Sequence, residues 1–283
     1  MKVVPIAYDS FSVRSMATFV KTKHHQLLID PGIAIAPKRY GLPPTKKEWL
    51  ELENGRKRII NYLKNCDSIV ITHYHFDHHP HYDDKEFNEF AYKDKVLFVK
   101  DNKKINLSQK KRFNIFYSIA KNLAKDIYFA DGKDFDWIRF SKSVYHGPEK
   151  TRLGYVIMAI IEDKNKFMFC SDVQGPVVKE TTQIIINENP DFLIIDGPPT
   201  YFLGYKFSYE NLKKVKENLK RIIYKTDVKT IIYDHHLTRD LNFKAKIKEL
   251  YDFSKEKGVK LITAAEFLKR KNLLLEANRK NLM

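Results

Sequence analysis

One short stretch, Ile69 to Pro80, constrains this chain more than any other. It begins with a β-branched run, Ile69 to Thr72, that predicts a buried strand. Three histidines and an aspartate follow it: His73, His75, Asp77 and His78. Alternate side chains of an extended backbone share a face, so His73 and His75 can bind one ion. After a turn, Asp77 and His78 can face a second ion roughly 3.5 to 4 Å away, as in two-metal hydrolytic sites. The alternative interpretation is a solvated strand end whose histidines only form hydrogen bonds.

The composition indicates how the chain is organised and where it works. The 283 residues contain no Gly-, Pro- or Ser-rich linker, which predicts one domain spanning 1–283. Two cysteines, Cys66 and Cys170, cannot build a disulfide framework and indicate a reducing compartment. The first residues lack the apolar core of a signal peptide, and no apolar run approaches the roughly 18 residues of a membrane span. We therefore expect a cytoplasmic protein without membrane attachment.

The net charge of +16 is open to two interpretations. A basic surface attracts nucleic acid, because bound phosphates release their counterions. The abundance of Lys and Glu also resembles the composition of proteins from very hot habitats. The lysines are scattered along the chain rather than gathered in one Arg-rich patch, which is more typical of the second interpretation.

The segment Thr72-His73-x-His75-x-Asp77-His78 resembles the second motif of the metallo-β-lactamase superfamily, Thr-His-x-His-x-Asp-His. Counterparts of the other motifs occur in superfamily order at Asp30, His146, Asp172 and His235. The resemblance implies an α/β fold, the four-layer αββα sandwich in which two mixed β-sheets are flanked by helices. The segments Ile29 to Gly32 and Pro37 to Pro44 are most similar to an uncharacterised, largely archaeal branch of the superfamily.

The resemblance also implies which residues bind metal. The implied ligands of a first divalent ion are His73, His75 and His146, and those of a second are Asp77, His78 and His235, with Asp172 bridging the two. We prefer His235 to His236, because Arg239 follows His235 at the spacing of nuclease-like members; His236 stays the alternative. Asp30 would hydrogen-bond the ligand histidines instead of binding metal. Asp196 has two possible roles: it could hydrogen-bond a ligand histidine in the same way, or it could only start a turn.

The implied ligands indicate the chemistry. Imidazoles and carboxylates without thiolates suit Zn²⁺, and Mn²⁺ or Fe is the alternative. Water between two such ions loses a proton near neutral pH, so we expect a dinuclear hydrolase that uses a metal-bound hydroxide. Further candidates for protonating a leaving group or holding an anionic substrate are His79, His81, Lys150 and Arg152. The expected substrate is a phosphodiester or nucleic acid. A small thioester, lactone or phosphoester is the alternative, and a metal-binding scaffold without turnover is another.

The rest of the sequence predicts the outer elements. Thr45 and Glu48 fit a capping box that starts a long helix, with Trp49 facing the core. The stretch from about 79 to 136 predicts a helical, aromatic-rich insertion. Tyr201 lies in a loop where it could contact substrate. The Lys-rich C-terminal end is expected to fray.

Overall fold

The strands form two six-stranded mixed sheets in the computed structural model, which describes all 283 residues. The first sheet contains, in spatial order, β1 (Lys2–Tyr8), β2 (Met16–Lys21), β3 (Gln26–Ile29), β4 (Ser68–Ile71), β5 (Val96–Val99) and β6 (Asp126–Phe129). β2 is antiparallel to both β1 and β3, and β3 to β6 are parallel. The strands β1, β3 and β4 therefore end at the same edge of the sheet.

The second sheet is built from the second half of the chain. Its strands are β7 (Ile138–Phe140), β10 (Ala159–Glu162), β11 (Lys166–Phe169), β12 (Phe192–Asp196), β13 (Thr230–Asp234) and β14 (Lys260–Ile262), and β8 (Val144–Tyr145) and β9 (Tyr155–Val156) form a separate pair. β11 to β14 are parallel, while β10 is antiparallel to β11 and β7. The parallel strands again bring their carboxyl ends to one edge.

Helices cover the outer face of each sheet. The first is covered by α1 (Lys46–Leu63), α2 (Lys85–Tyr92) and α3 (Leu107–Leu123), and the second by α4 (Lys179–Glu188), α5 (Tyr209–Lys225) and α7 (Lys248–Glu256). Three helices of one turn are α6 (Phe243–Lys246), α8 (Ala264–Phe267) and α9 (Arg279–Leu282). None of the helices combines the length and the apolar composition that a membrane span requires.

Three buried apolar clusters separate the four layers. The cluster between the sheets contains Val70 of β4 and Ile194 of β12. Their neighbours point the other way: Ile69 and Ile71 pack under the helices of the first sheet, and Leu193 packs under those of the second. Both faces of the central strands are buried, which is why these strands read as unbroken apolar runs. The predicted αββα sandwich is confirmed.

The outer elements differ from the sequence-based expectations in three places. The stretch from 79 to 136 contains α2 and α3, and it also supplies β5 and β6 to the first sheet. The side chain of Trp49 is 52% exposed, because α1 turns the face with Ile59 to the sheet. The C-terminal end packs against the rest of the chain through one of its residues. Arg279 is fully buried there, and its guanidinium donates hydrogen bonds to the Glu48 carboxylate.

Candidate metal centre

Side chains with metal-binding chemistry lie at the ends of strands from both sheets. Asp30 follows β3, and the segment from His73 to His78 follows β4. His146 follows β8, Asp172 lies shortly after β11, and His235 follows β13. Because these strand ends meet at one edge of the sandwich, residues from both halves of the chain converge there.

Four of these residues form a first group: His73, His75, His146 and Asp172. Their nitrogen and oxygen atoms lie within 4.8 Å of one another. The Oδ2 atom of Asp172 is 3.7 Å from Nε2 of His73 and 3.3 Å from Nε2 of His146. The two histidines and the aspartate are buried. The group has the donor atoms and the spacing of a divalent-metal site.

A second group contains Asp77, His78 and His235, again within 4.8 Å of one another. The Oδ2 atom of Asp77 is 3.5 Å from Nε2 of His235. Asp172 reaches this group as well, because its Oδ1 is 3.2 Å from Nε2 of His78 and its Oδ2 is 3.6 Å from Nε2 of His235. One carboxylate therefore contacts both groups.

Unpaired atoms in this centre indicate what it can bind. Of eight buried side-chain nitrogen and oxygen atoms without a hydrogen-bond partner, four belong to the centre: Nε2 of His78, both ring nitrogens of His146 and Oδ1 of Asp172. A buried polar atom without a partner costs about 1–3 kcal/mol. Imidazole nitrogen and carboxylate oxygen are ligands of divalent cations, so a cation would satisfy Nε2 of His78, one ring nitrogen of His146 and Oδ1 of Asp172.

Two buried carboxylates orient histidines of the centre. Asp30 lies 2.7 Å from Nδ1 of His78 and accepts a hydrogen bond from the Thr72 amide at 2.8 Å. Asp9, at the end of β1, lies 2.8 Å from Nδ1 of His235. A carboxylate at Nδ1 favours the tautomer with the proton on Nδ1, which leaves Nε2 for the cluster. Asp30 makes the expected type of contact. Asp9 was missed, although it follows an apolar strand as Asp30 does.

The paired histidines His235 and His236 have different partners. His235 has a left-handed backbone with φ of 58°, and it shares a group with Asp77 and His78. His236 lies at the cleft, and its Nδ1 is 2.8 Å from Oδ2 of Asp196. Asp196 therefore hydrogen-bonds the second histidine of the pair. His235 also forms a candidate group with Asp172 and His236.

Arg239 is a buried cation beside the second group. Its Nε donates to Oδ1 of Asp9 at 2.6 Å, and its Nη2 lies 3.3 Å from Oδ2 of Asp77. Nη2 is also 3.1 Å from Nε2 and 3.4 Å from Nδ1 of His235. Burial acts to raise the pKa of Asp9, but the charges of Arg239 and His235 outweigh it and lower the pKa. Asp9 is therefore ionised at neutral pH beside the Arg239 guanidinium.

The centre opens into a cleft of about 1130 Å³ whose charged lining is mainly basic. Its cations are Arg14, Arg112, Arg152, Lys206 and Arg239, and its acids are Asp77 and Asp172. Arg14 and Arg239 pair with buried carboxylates. Arg112, Arg152 and Lys206 line the cleft and form no salt bridge. The sequence analysis missed Arg112 and Lys206, because single charges on helices and loops are typical of any solvated surface.

Two of the other sequence candidates need correction. His79 is buried rather than in the cleft, and its Nδ1 hydrogen-bonds the carbonyl of Pro80 at 2.9 Å. Burial lowers the pKa of His79 to about 3, so this histidine is neutral and cannot donate a proton as an imidazolium. Lys150 is exposed and lies outside the cleft lining, whereas Arg152 and Tyr201 line it.

Comparison with known proteins identifies relatives along the whole chain. A UPF0282 protein of Methanocaldococcus jannaschii is 44% identical over 294 residues, which cover 100% of this chain and 96% of the relative. A UPF0282 protein of Methanopyrus kandleri is 39% identical over 295 residues, covering 100% and 99%. The chain belongs to the UPF0282 family. The predicted resemblance to a largely archaeal branch is confirmed by these relatives. No protein-family model matches the chain.

Solved structures show the fold of this UPF0282 protein independently. An isothiocyanate hydrolase from Delia radicum gut bacteria superposes with a TM-score of 0.52 at 15% identity, covering 89% of this chain and 94% of the other. The metallo-β-lactamase fold protein YhfI from Bacillus subtilis gives 0.53 at 13% identity, covering 92% and 95%. The UPF0282 chain therefore has the metallo-β-lactamase fold.

Proposed function

We propose that this UPF0282 protein is a metal-dependent hydrolase that binds two divalent ions and cleaves phosphodiesters. The observation that carries the proposal is the pair of buried histidine and aspartate groups joined by Asp172. Several of their atoms have no hydrogen-bond partner. Burying such atoms is unfavourable unless they bind a cation, and carboxylate and imidazole together suit a divalent one.

The ligand sets follow from the two groups. His73, His75 and His146 would hold the first ion, Asp77, His78 and His235 the second, and Asp172 would contact both. Nitrogen and oxygen donors without thiolates favour Zn²⁺, and they also accept Mn²⁺ or Fe. When bound, two such ions would polarise a phosphoryl oxygen and lower the pKa of a water molecule towards neutrality.

Residues around the ligands would keep them in position and bind the substrate. Asp30 and Asp9 would hold the rings of His78 and His235 with Nε2 directed at the ions. Arg239 is held by Asp9 and lines the cleft, where a guanidinium can donate hydrogen bonds to phosphoryl oxygens. Because these residues are buried and paired, little rearrangement would be needed when substrate enters.

The charge of the cleft favours a phosphodiester over an uncharged thioester or lactone. Arg112, Arg152 and Lys206 have no carboxylate partner. The acids of the lining, Asp77 and Asp172, are the proposed metal ligands. A cleft with bound cations and unpaired basic side chains attracts anions, and the net charge of +16 acts in the same direction.

Metal analysis and hydrolysis together test the proposal. After removal of metal with a chelator and reloading with Zn²⁺ or Mn²⁺, we expect about two ions per chain and hydrolysis of bis(p-nitrophenyl) phosphate. Asp77→Ala and Asp172→Ala should lower the metal content and abolish turnover. Asp252→Ala, at an exposed surface pair, is the matched control and should change neither.

Three outcomes would contradict parts of the proposal. If neither the purified nor the reloaded protein holds metal, the metal site is wrong. If a thioester is hydrolysed and the phosphodiester is not, the proposed substrate class is wrong, while the proposal of a metal-dependent hydrolase is kept. If metal binds and no ester is turned over, the metal-binding scaffold replaces the hydrolase.

A further inference from the structure

Aromatic rings in the cleft are paired with cations. The guanidinium of Arg112 lies 4.5 Å from the centroid of the Phe76 ring. The ammonium of Lys206 lies 5.2 Å from the centroid of Phe202. All four side chains line the cleft into which the metal ligands project. A third ring of the lining, Tyr201, lies 4.2 Å from Phe202 between ring centroids.

The pairs come from different layers of the sandwich. Phe76 follows β4, and Arg112 lies on α3, so this pair belongs to the first sheet and its helices. Phe202 and Lys206 lie between β12 and α5, on the side of the second sheet. Arg152 is tied to the first side, because its carbonyl accepts a hydrogen bond from Asn106 at 2.9 Å. Each side of the cleft therefore has an aromatic ring and at least one cation without a carboxylate partner.

On the basis of the proposed function, we infer that the substrate is a single-stranded polynucleotide. An aromatic face beside a cation suits an unpaired base next to its phosphate, because the ring stacks on the base while the cation binds the phosphate. Bases inside a duplex are stacked on each other and do not offer their faces to side chains. The cleft, at about 1130 Å³, is also larger than the roughly 300–1,000 Å³ of small-molecule pockets.

The unpaired cations set the expected salt dependence. For single strands, the slope of log K against log salt concentration is about −0.7 for each phosphate that is neutralised. If Arg112, Arg152 and Lys206 each contact one phosphate, the slope should be about −2. Replacing one of them by Gln should weaken binding and make the slope shallower by about 0.7. Replacing Phe202 by Ala should weaken binding by roughly 5- to 150-fold, the usual contribution of one stacked base.

Fluorescence anisotropy measures this without turnover. Labelled oligo(U), oligo(dT) and a hairpin duplex are titrated with the full chain in chelator-containing buffer, over a series of KCl concentrations. We expect either single strand to bind at least about tenfold more tightly than the duplex. Lys206→Gln and Arg112→Gln should then weaken binding and flatten the salt slope. Lys64→Gln is the matched control, because Lys64 lies 5.5 Å from the Phe90 ring outside the cleft, and it should change neither.

Different results would overturn different statements. Equal affinity for the duplex and the single strands, or unchanged binding by both charge variants, would overturn the inference. The inference would also be overturned if the protein hydrolyses bis(p-nitrophenyl) phosphate but binds neither oligo(U) nor oligo(dT). The proposed function would stand in that case. Tighter binding of oligo(U) would assign RNA, and tighter binding of oligo(dT) would assign DNA. The charge variants test the inference even if Phe202→Ala does not fold, because Lys206 is exposed.

Discussion

Replacing Asp9 by Asn tests how the proposed second metal position is held. Oδ2 of Asp9 lies 2.8 Å from Nδ1 of His235 and accepts from the Ser15 amide at 3.2 Å. Oδ1 accepts from Nε of Arg239 at 2.6 Å. Asn keeps the size and one carbonyl oxygen, but its NH₂ group faces one of these donors. The substitution therefore removes the charge and breaks either the contact to His235 or the contact to Arg239.

The size of the effect can be derived from these contacts. Removing the hydrogen-bond partner of a metal-binding histidine typically lowers metal affinity by about 10- to 100-fold, which is about 1.4–2.7 kcal/mol. Asp9 touches His235 and neither His73 nor His146. The loss should therefore fall on the second ion. Arg239 also loses its buried counter-charge, and breaking a buried pair costs about 3–5 kcal/mol of stability.

The assay is a Zn²⁺ titration in competition with a chromophoric chelator, which resolves two dissociation constants. For Asp9→Asn we expect the dissociation constant of the second ion to increase and that of the first ion to stay unchanged. Glu48→Gln is the control, because it disrupts another buried ion pair, to Arg279, without touching a proposed ligand. It should lower the unfolding midpoint and leave both constants unchanged. If Asp9→Asn increases both dissociation constants equally, or changes neither, the assigned role of Asp9 is refuted.

Three further predictions concern the scaffold. Arg279→Met should lower the free energy of unfolding, measured in urea, by about 3–5 kcal/mol, because the Glu48 carboxylate stays buried without its partner. An effect near zero would show that the C-terminal end is not packed against Glu48. Gly32→Ala should reduce metal content and stability together, because its Cβ would overlap the backbone of His78; a wild-type metal content would contradict this. Burial raises the pKa of the Cys66 thiol to about 12, so Cys66 should react with Ellman's reagent only after unfolding in guanidinium.

The sequence predicted those parts of the fold and the centre that depend on neighbouring residues. The segment from His73 to His78 follows β4 as one short run of bends and turns, so its closeness along the chain is enough to keep these side chains near one another. The capping box of Thr45 and Glu48 is local in the same way, and it is present in the structure. The prediction for Trp49 was wrong, and the C-terminal end is packed at Arg279. In both cases a distant part of the chain decides the outcome: α1 packs only one of its faces against the sheet, and Arg279 is buried where it hydrogen-bonds Glu48.

What the sequence determined by itself was the set of donor groups available to the centre, because the imidazoles and carboxylates are present in the chain whatever its fold. Which carboxylate orients which histidine was decided only by the tertiary structure. Asp9 and His235 are 226 positions apart and meet because β1 and β13 end at the same edge of the sandwich. The charge of the cleft has the same origin. Arg239 pairs with Asp9, while Arg112 and Lys206 line the cleft without a carboxylate partner. Such pairings cannot be read from sequence patterns, because they depend on packing between distant segments.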